Sequence, residues 1–103
     1  MITKENYKKI IDHYGPEAQK VKAIEELSEL QQEIAKDLIG QGSIENIAEE
    51  IADVKVMIEQ LQMIYEIEND DVEKITREKI LRTCHRIDLE SEERQWKNLE
   101  KKD

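Results

Sequence analysis

The feature that most constrains this 103-residue chain is a concentration of acidic residues between Glu25 and Asp53. That stretch holds nine acidic side chains and a single basic one, Lys36, so it supplies a net charge of −8 out of the chain's −9. The other 74 residues carry 16 acidic and 15 basic side chains and are nearly neutral. The acidity is therefore a local feature of the chain, not a general solubilising coat.

Two acidic pairs in this stretch have a spacing that places both members on one side of a helix. Glu26 and Glu29 form the first pair, and Glu50 and Asp53 form the second; residues three apart lie roughly 60° apart around a helix axis. None of these four acids has a basic residue four positions later. Five acids further along the chain do: Asp70, Glu73, Glu78, Glu90 and Glu93.

Both pairs lie beside apolar residues, so folding is expected to draw them toward a helix interface, where uncompensated carboxylates are costly. A divalent cation removes that cost, and hard cations such as Mg²⁺ take oxygen ligands and keep waters for a substrate phosphate. The residues alone leave two alternatives open, a metal site and a solvated helix surface.

The double motif resembles that of a known family. The chain reads E-E-L-S-E from Glu25, then 19 residues, then E-E-I-A-D from Glu49. This pattern is similar to that of the all-α nucleoside triphosphate pyrophosphohydrolases, the MazG-like proteins, which cluster with the dimeric dUTPases. The resemblance covers roughly residues 18–87 and is nearest to small, phage-type members.

The resemblance implies an activity and a set of site residues. Mg²⁺, with Mn²⁺ as a substitute, is expected at Glu26, Glu29, Glu50 and Asp53. Water then attacks a nucleoside triphosphate and releases the monophosphate and pyrophosphate. Glu25 and Glu49 occupy the extra acidic positions of the motif and are candidates to orient or deprotonate that water; exposure to solvent without a role is the alternative.

A second group of candidates lies further along the chain. Lys79, Arg82 and Arg86 recur on one face of a helix and are candidate ligands of the outer phosphates, although pairing of Glu78 with Arg82 explains the pattern equally well. Trp96 is the only tryptophan. It is a candidate for stacking on the base, and packing of the tail onto the helices is the favoured alternative.

Length and composition predict one all-α domain over residues 1–103, with a core at about 16–87 and a charged tail at 88–103. A chain this small buries limited surface alone, so we expect a homo-dimer or homo-tetramer. The single Cys84 fits a cytoplasmic protein, and the amino-terminal residues lack the apolar core of a signal peptide. With a pI near 4.8, long nucleic acid is not an expected partner, and neither is a membrane.

The periodicity predicts a bundle of about four helices with a central antiparallel hairpin. The expected boundaries are a first helix from Thr3 to Gly15, a second from Pro16 to about Ile39, a third capped by Ser43 and a fourth capped by Asn69 or Asp70. The second and third helices each have an apolar stripe: Val21, Ile24, Leu27, Leu30, Ile34 and Leu38 on one, and Ile44, Ile47, Ile51, Val54, Ile58, Leu61 and Tyr65 on the other. The third helix has a second apolar set, Ala48, Ala52, Val56, Met57, Met63 and Ile67. Since one neighbour cannot cover both faces, this helix is expected to lie centrally in an oligomer. Counted from the helix ends, the two acidic pairs have an axial offset of roughly 5 Å.

Two other classes of protein compete with the hydrolase. A di-iron carboxylate bundle needs Glu-x-x-His twice, and neither His13 nor His85 has a glutamate three residues before it. A non-enzymatic helical adaptor, in which the acids serve solubility, remains the alternative. The base, the sugar and the biological purpose stay open among removal of aberrant nucleotides (housecleaning), control of a dNTP pool and phage metabolism.

Overall fold

The computed structural model describes residues 1–101, and all the regular structure in that range is helical. This confirms the all-α prediction and the expected number of helices. The four helices are α1 (Lys4–Tyr14), α2 (Pro16–Leu38), α3 (Ile44–Ile64) and α4 (Asn69–Glu100).

Local residue choices explain the first two helix boundaries. Thr3 precedes α1, and its backbone N–H donates to Asn6 Oδ1 over 2.8 Å. Gly15 has a φ of +90°, a backbone conformation that side chains with a Cβ rarely adopt. Pro16 then starts α2, where its missing N–H is no loss. The predicted break between the first two helices is therefore confirmed.

A short turn joins α2 to α3 and makes them an antiparallel pair. Gly40 has a φ of +77°, and Ser43 caps α3 by accepting a hydrogen bond from the Asn46 backbone N–H over 3.2 Å. At Gly42 the backbone lies so close to α2 that an added Cβ would be 2.7 Å from Asp37 Cα. The turn therefore brings the start of α3 directly against the end of α2.

The interface between α2 and α3 is partly polar. The residues buried on α2 are Gln19, Ala23 and Glu26, and those on α3 are Val54, Met57 and Gln60. Of the two predicted apolar stripes, Val54 is buried, Leu30, Ile47 and Leu61 are half-buried, and Ile24 is 68% exposed. Hydrophobicity alone therefore does not identify the residues buried in the hairpin.

The chain divides into two compact units, Met1–Ile67 and a second unit that begins at Glu68. In the first unit, α1 contacts both α2 and α3. In the second, α4 has Glu68 as its N-cap, so the helix begins one residue before the earlier of the two predicted starts. The helix continues to Glu100, and none of its residues is buried.

No helix within residues 1–101 combines the length and the apolar character that crossing a bilayer requires.

Candidate metal centre

Four carboxylates from two helices converge at one place in the hairpin. Glu26 and Glu29 come from α2, and Glu50 and Asp53 come from α3. One carboxylate oxygen from each residue lies within 4.8 Å of the corresponding oxygens of the other three. The two acidic pairs singled out in the sequence are therefore brought together, and we call these four residues the acidic cluster.

The register of the hairpin explains this convergence. Gln19 and Gln60 are hydrogen-bonded across the helices, and Glu26 follows Gln19 by seven residues while Asp53 precedes Gln60 by seven. In an antiparallel pair, equal steps along both helices reach the same level, so Glu26 lies opposite Asp53 and Glu29 opposite Glu50. The two acidic pairs therefore lie at the same level along the hairpin, without the axial offset that was expected from the predicted helix ends. The turn between α2 and α3 is tighter than those predicted ends implied.

The members of the cluster differ in exposure. Glu26 is only 6% exposed and Glu50 is partly buried, whereas Glu29 and Asp53 reach solvent. Within residues 1–101, the Oε2 atoms of Glu26 and Glu50 are buried and have no hydrogen-bond partner. Buried carboxylate oxygens without partners are costly. Together with the convergence of the four carboxylates, these unpaired oxygens fit a hard divalent cation, which takes several oxygen ligands.

Electrostatic strain in the cluster is centred on Glu50. Partial burial raises the pKa of the Glu50 carboxyl, and the negative charges of Glu29, Asp53 and Glu26 raise it further. All these causes disfavour the ionised form of Glu50. A cation among the four carboxylates would reverse the effect of the neighbouring charges.

One basic side chain lies against the cluster, and it was missed in the sequence. Lys22 Nζ is 3.2 Å from Glu26 Oε1 and 3.9 Å from Glu25 Oε2. The hydrogen bond to Glu26, followed by the charge of Glu26, raises the pKa of Lys22. The spacing argument covers bases four positions after each acid, whereas Lys22 lies four positions before Glu26.

The two candidate water-orienting residues lie outside the cluster. Glu25 is exposed on α2 and lines a surface pocket with Tyr14 and Lys22. Glu49 is exposed on α3. Exposure leaves both carboxylates free to contact water, and their catalytic role stays a prediction.

The candidate phosphate and base ligands lie on α4, in the other compact unit. Lys79, Arg82, Arg86 and Trp96 are all exposed. Among the described residues none of the three cations is in an ion pair, so the pairing of Glu78 with Arg82 is not formed. Their contact with a nucleotide stays a prediction.

The buried glutamines were also missed in the sequence. Gln19 and Gln60 were passed over because they are polar, yet each lies seven residues from a member of the acidic cluster. Seven residues are close to two helical turns. A search for polar residues at that spacing from the acids would have found them.

Comparison of the chain with protein-family models, with curated proteins and with solved structures gave no match.

Proposed function

We propose that this chain is a Mg²⁺-dependent nucleoside triphosphate pyrophosphohydrolase. It would hydrolyse a nucleoside or deoxynucleoside triphosphate to the monophosphate and pyrophosphate. The observation that carries the proposal is the acidic cluster, in which four carboxylates meet and two buried oxygens lack partners. The resemblance of the two motifs, with 19 residues between them, supplies the type of reaction.

Different residues of the chain would have different roles in the reaction. Glu26, Glu29, Glu50 and Asp53 would hold the ion, on the rigid scaffold of two packed helices. Bound Mg²⁺ supplies charge neutralisation at the phosphates and makes a bound water more acidic. Glu25 or Glu49 would orient that water and accept its proton. Lys79, Arg82 and Arg86 would contact the outer phosphates.

A homo-dimer or homo-tetramer is part of the proposal. The apolar stripe on α2 is largely exposed, including Val21, Ile24 and Leu38. Exposed apolar side chains in a row along one helix are typical of surfaces that another chain covers. A second copy of this chain is the occupant we propose.

The alternative proposal is a non-enzymatic helical adaptor. It is favoured by the absence of any buried residue on α4 and by the apolar side chains exposed there, namely Ile75, Ile80, Leu81, Ile87, Leu89, Trp96 and Leu99. An adaptor needs no ion in the acidic cluster. Its melting temperature would then be independent of Mg²⁺, whereas binding of the ion to the folded state alone raises it.

The test is a pyrophosphate-release screen over natural and modified dNTPs with Mg²⁺. We expect the parent protein to cleave at least one substrate and Asp53→Asn to lose activity by several orders of magnitude. Asp88→Asn removes an exposed carboxylate of α4 and serves as the matched control, with activity close to that of the parent.

Equal release by the parent and Asp53→Asn would refute the site. A parent protein that is stabilised by Mg²⁺ but cleaves no nucleotide would refute the hydrolase and keep the metal centre. A parent protein with neither property would leave the adaptor.

A further inference from the structure

The most deeply buried polar contact in the hairpin joins two glutamines. Gln60 is 1% exposed and Gln19 is 7% exposed. Gln19 Nε2 donates to Gln60 Oε1 over 2.8 Å, and Gln60 Nε2 points at Met57 Sδ over 3.8 Å. These two amides form a hydrogen-bonded link between α2 and α3, and we call it the glutamine pair.

The glutamine pair does not bury polar groups efficiently. Each amide group offers two donor hydrogens and an oxygen with two lone pairs, and the pair shares one strong hydrogen bond and one weak contact to sulfur. An apolar pair of similar volume is expected to cost little stability or none, because replacing both partners of a buried polar contact is often neutral or stabilising. Stability alone therefore does not account for these two residues.

The property that an apolar pair lacks is geometric specificity. A hydrogen bond of 2.8 Å fixes the axial position and the rotation of one helix relative to the other, whereas apolar contacts tolerate sliding and rotation. Single buried polar residues fix register in coiled coils in the same way. The glutamine pair lies seven residues, or about 10 Å at 1.5 Å per residue, from the Glu26–Asp53 level of the acidic cluster.

The cluster lies between two fixed points of the hairpin. On one side is the tight turn, where Gly42 lies against Asp37. On the other side is the glutamine pair. Between them, four carboxylates repel one another across the two helices, and within residues 1–101 they have a single cation, Lys22, in an ion pair with Glu26. Repulsion of this kind favours separation of the helices at the end that the turn does not hold.

We propose that Gln19 and Gln60 are positioning residues for the metal centre: their hydrogen bond sets the register and rotation that keep the four carboxylates arranged for one ion. The proposal rests on the proposed function, since it needs the acidic cluster to bind a cation. Mg²⁺ demands near-ideal octahedral geometry, so small displacements of the ligands are expected to weaken binding.

The test separates ion binding from stability. Methionine has nearly the shape of glutamine without the amide, so Gln19→Met/Gln60→Met removes the hydrogen bond and preserves volume. The single variants Gln19→Met and Gln60→Met each leave one buried amide without its partner. Gln95→Met changes an exposed glutamine of α4 and is the control. Each protein is titrated with Mn²⁺ by calorimetry, and its melting temperature is measured without metal.

We expect both single variants to melt below the parent and the double variant to melt at or above it. The Kd of the double variant for Mn²⁺ should nevertheless rise about tenfold, the size of effect seen when residues that orient metal ligands are changed. Gln95→Met should match the parent in both measurements.

Each other outcome overturns the proposal. A double variant with the parent's Kd would show that the pair only fills space. A double variant that melts well below the parent, or does not fold, would show that the pair acts through stability. A parent protein that binds no Mn²⁺ would refute the metal centre itself and this inference with it. The titration of the parent alone identifies this outcome.

Discussion

At the scale of single residues, Glu26 is the most informative side chain because its two oxygens have different surroundings. Oε1 forms an ion pair with Lys22 Nζ over 3.2 Å, and Oε2 is buried with no hydrogen-bond partner in the described part of the chain. Lys22 thus neutralises one oxygen and leaves the other unpaired. Carboxylate ligands of metals are commonly oriented by such an outer hydrogen bond.

Replacing Lys22 is expected to weaken ion binding without changing any ligand. In Lys22→Met the carboxylate of Glu26 loses its orienting partner, so the Kd for Mn²⁺ should rise about tenfold. Lys22→Arg keeps a donor and should recover most of the affinity. Lys36→Met breaks a similar ion pair to Glu33 on the same helix, and calorimetry should give it the parent's Kd. An unchanged or lower Kd in Lys22→Met would show that Lys22 does not orient the site or that it competes with the ion.

The raised pKa of Glu50 predicts a pH dependence of stability. A carboxyl with a raised folded pKa binds a proton more readily in the folded state, so its contribution to stability falls as pH rises from the usual value of 4.5 through the folded pKa. Glu50→Gln removes this loss. Without metal, Glu50→Gln should melt at a higher temperature than the parent at pH values above the folded pKa of Glu50. Below pH 4.5 the two melting temperatures should converge.

The control for this measurement is Glu49→Gln, which neutralises an exposed neighbour outside the cluster. The gain in melting temperature over the parent is expected to be larger for Glu50→Gln than for this control. With saturating Mg²⁺ the parent should instead melt at a higher temperature than Glu50→Gln. The parent offers the ion a fourth carboxylate that the variant lacks, so the ion stabilises its folded state more. If the melting temperatures of the parent and Glu50→Gln differed by the same amount at every pH, the raised pKa assigned to Glu50 would be contradicted.

At the scale of helices, the sequence predicts the boundaries better than the packing. Gly15, Pro16 and Ser43 mark their boundaries through local backbone chemistry, which a sequence pattern records directly. The buried face of each helix depends on the partner that it meets. Gln60 is polar yet almost fully buried, and Ile24 is apolar yet exposed, so hydrophobic periodicity does not by itself identify the residues buried in the hairpin.

The acidic cluster is an intermediate case. Spacing places Glu26 beside Glu29 on one helix, and Glu50 beside Asp53 on the other. That the two pairs meet depends on the turn, whose tightness comes from Gly42 lying against Asp37. The sequence shows the glycine but not the contact. The four residues of the acidic cluster could therefore be predicted from their spacing and the resemblance, whereas the register that brings them together had to come from the structure.

The close contact at Gly42 makes a prediction about the hairpin. In Gly42→Ala the new Cβ would lie 2.7 Å from Asp37 Cα and 2.9 Å from Asp37 N. Backbone atoms cannot move aside as the end of a side chain can, so we expect a loss of about 1–3 kcal/mol in the free energy of unfolding, typical of overpacked sites. Urea denaturation measures this loss.

Gln41→Ala is the matched control, since it changes the neighbouring exposed residue of the same turn. It should unfold with a free energy within about 0.5 kcal/mol of the parent, as surface substitutions usually do. Equal stability of Gly42→Ala and Gln41→Ala would show that α2 and α3 can separate slightly at the turn without cost.

At the scale of the whole molecule, the hairpin buries polar side chains between its helices and leaves apolar side chains exposed. Its internal interface includes Gln19, Glu26 and Gln60, while apolar residues of the same helices remain exposed. Placing carboxylates at a helix interface is costly, and the exposed stripe of α2 is unused by the first unit. Assembly of copies through that stripe would bury the apolar area and supply stability that the polar interface of the hairpin lacks.

Substitution within the exposed stripe tests this assembly. Ile24 is 68% exposed, so Ile24→Lys should cost little if the chain is a monomer. If a second copy covers the stripe, a lysine there is expected to convert the oligomer to monomers and to lower the melting temperature, because an unpaired charge would be buried at the contact. Gln32→Lys adds the same charge on the polar side of α2 and should preserve the assembly. Light scattering coupled to size-exclusion chromatography measures the mass of each protein.

A parent that elutes as a monomer of 12.2 kDa would refute the assembly. An Ile24→Lys variant that retains the oligomeric mass of the parent would place the contact elsewhere.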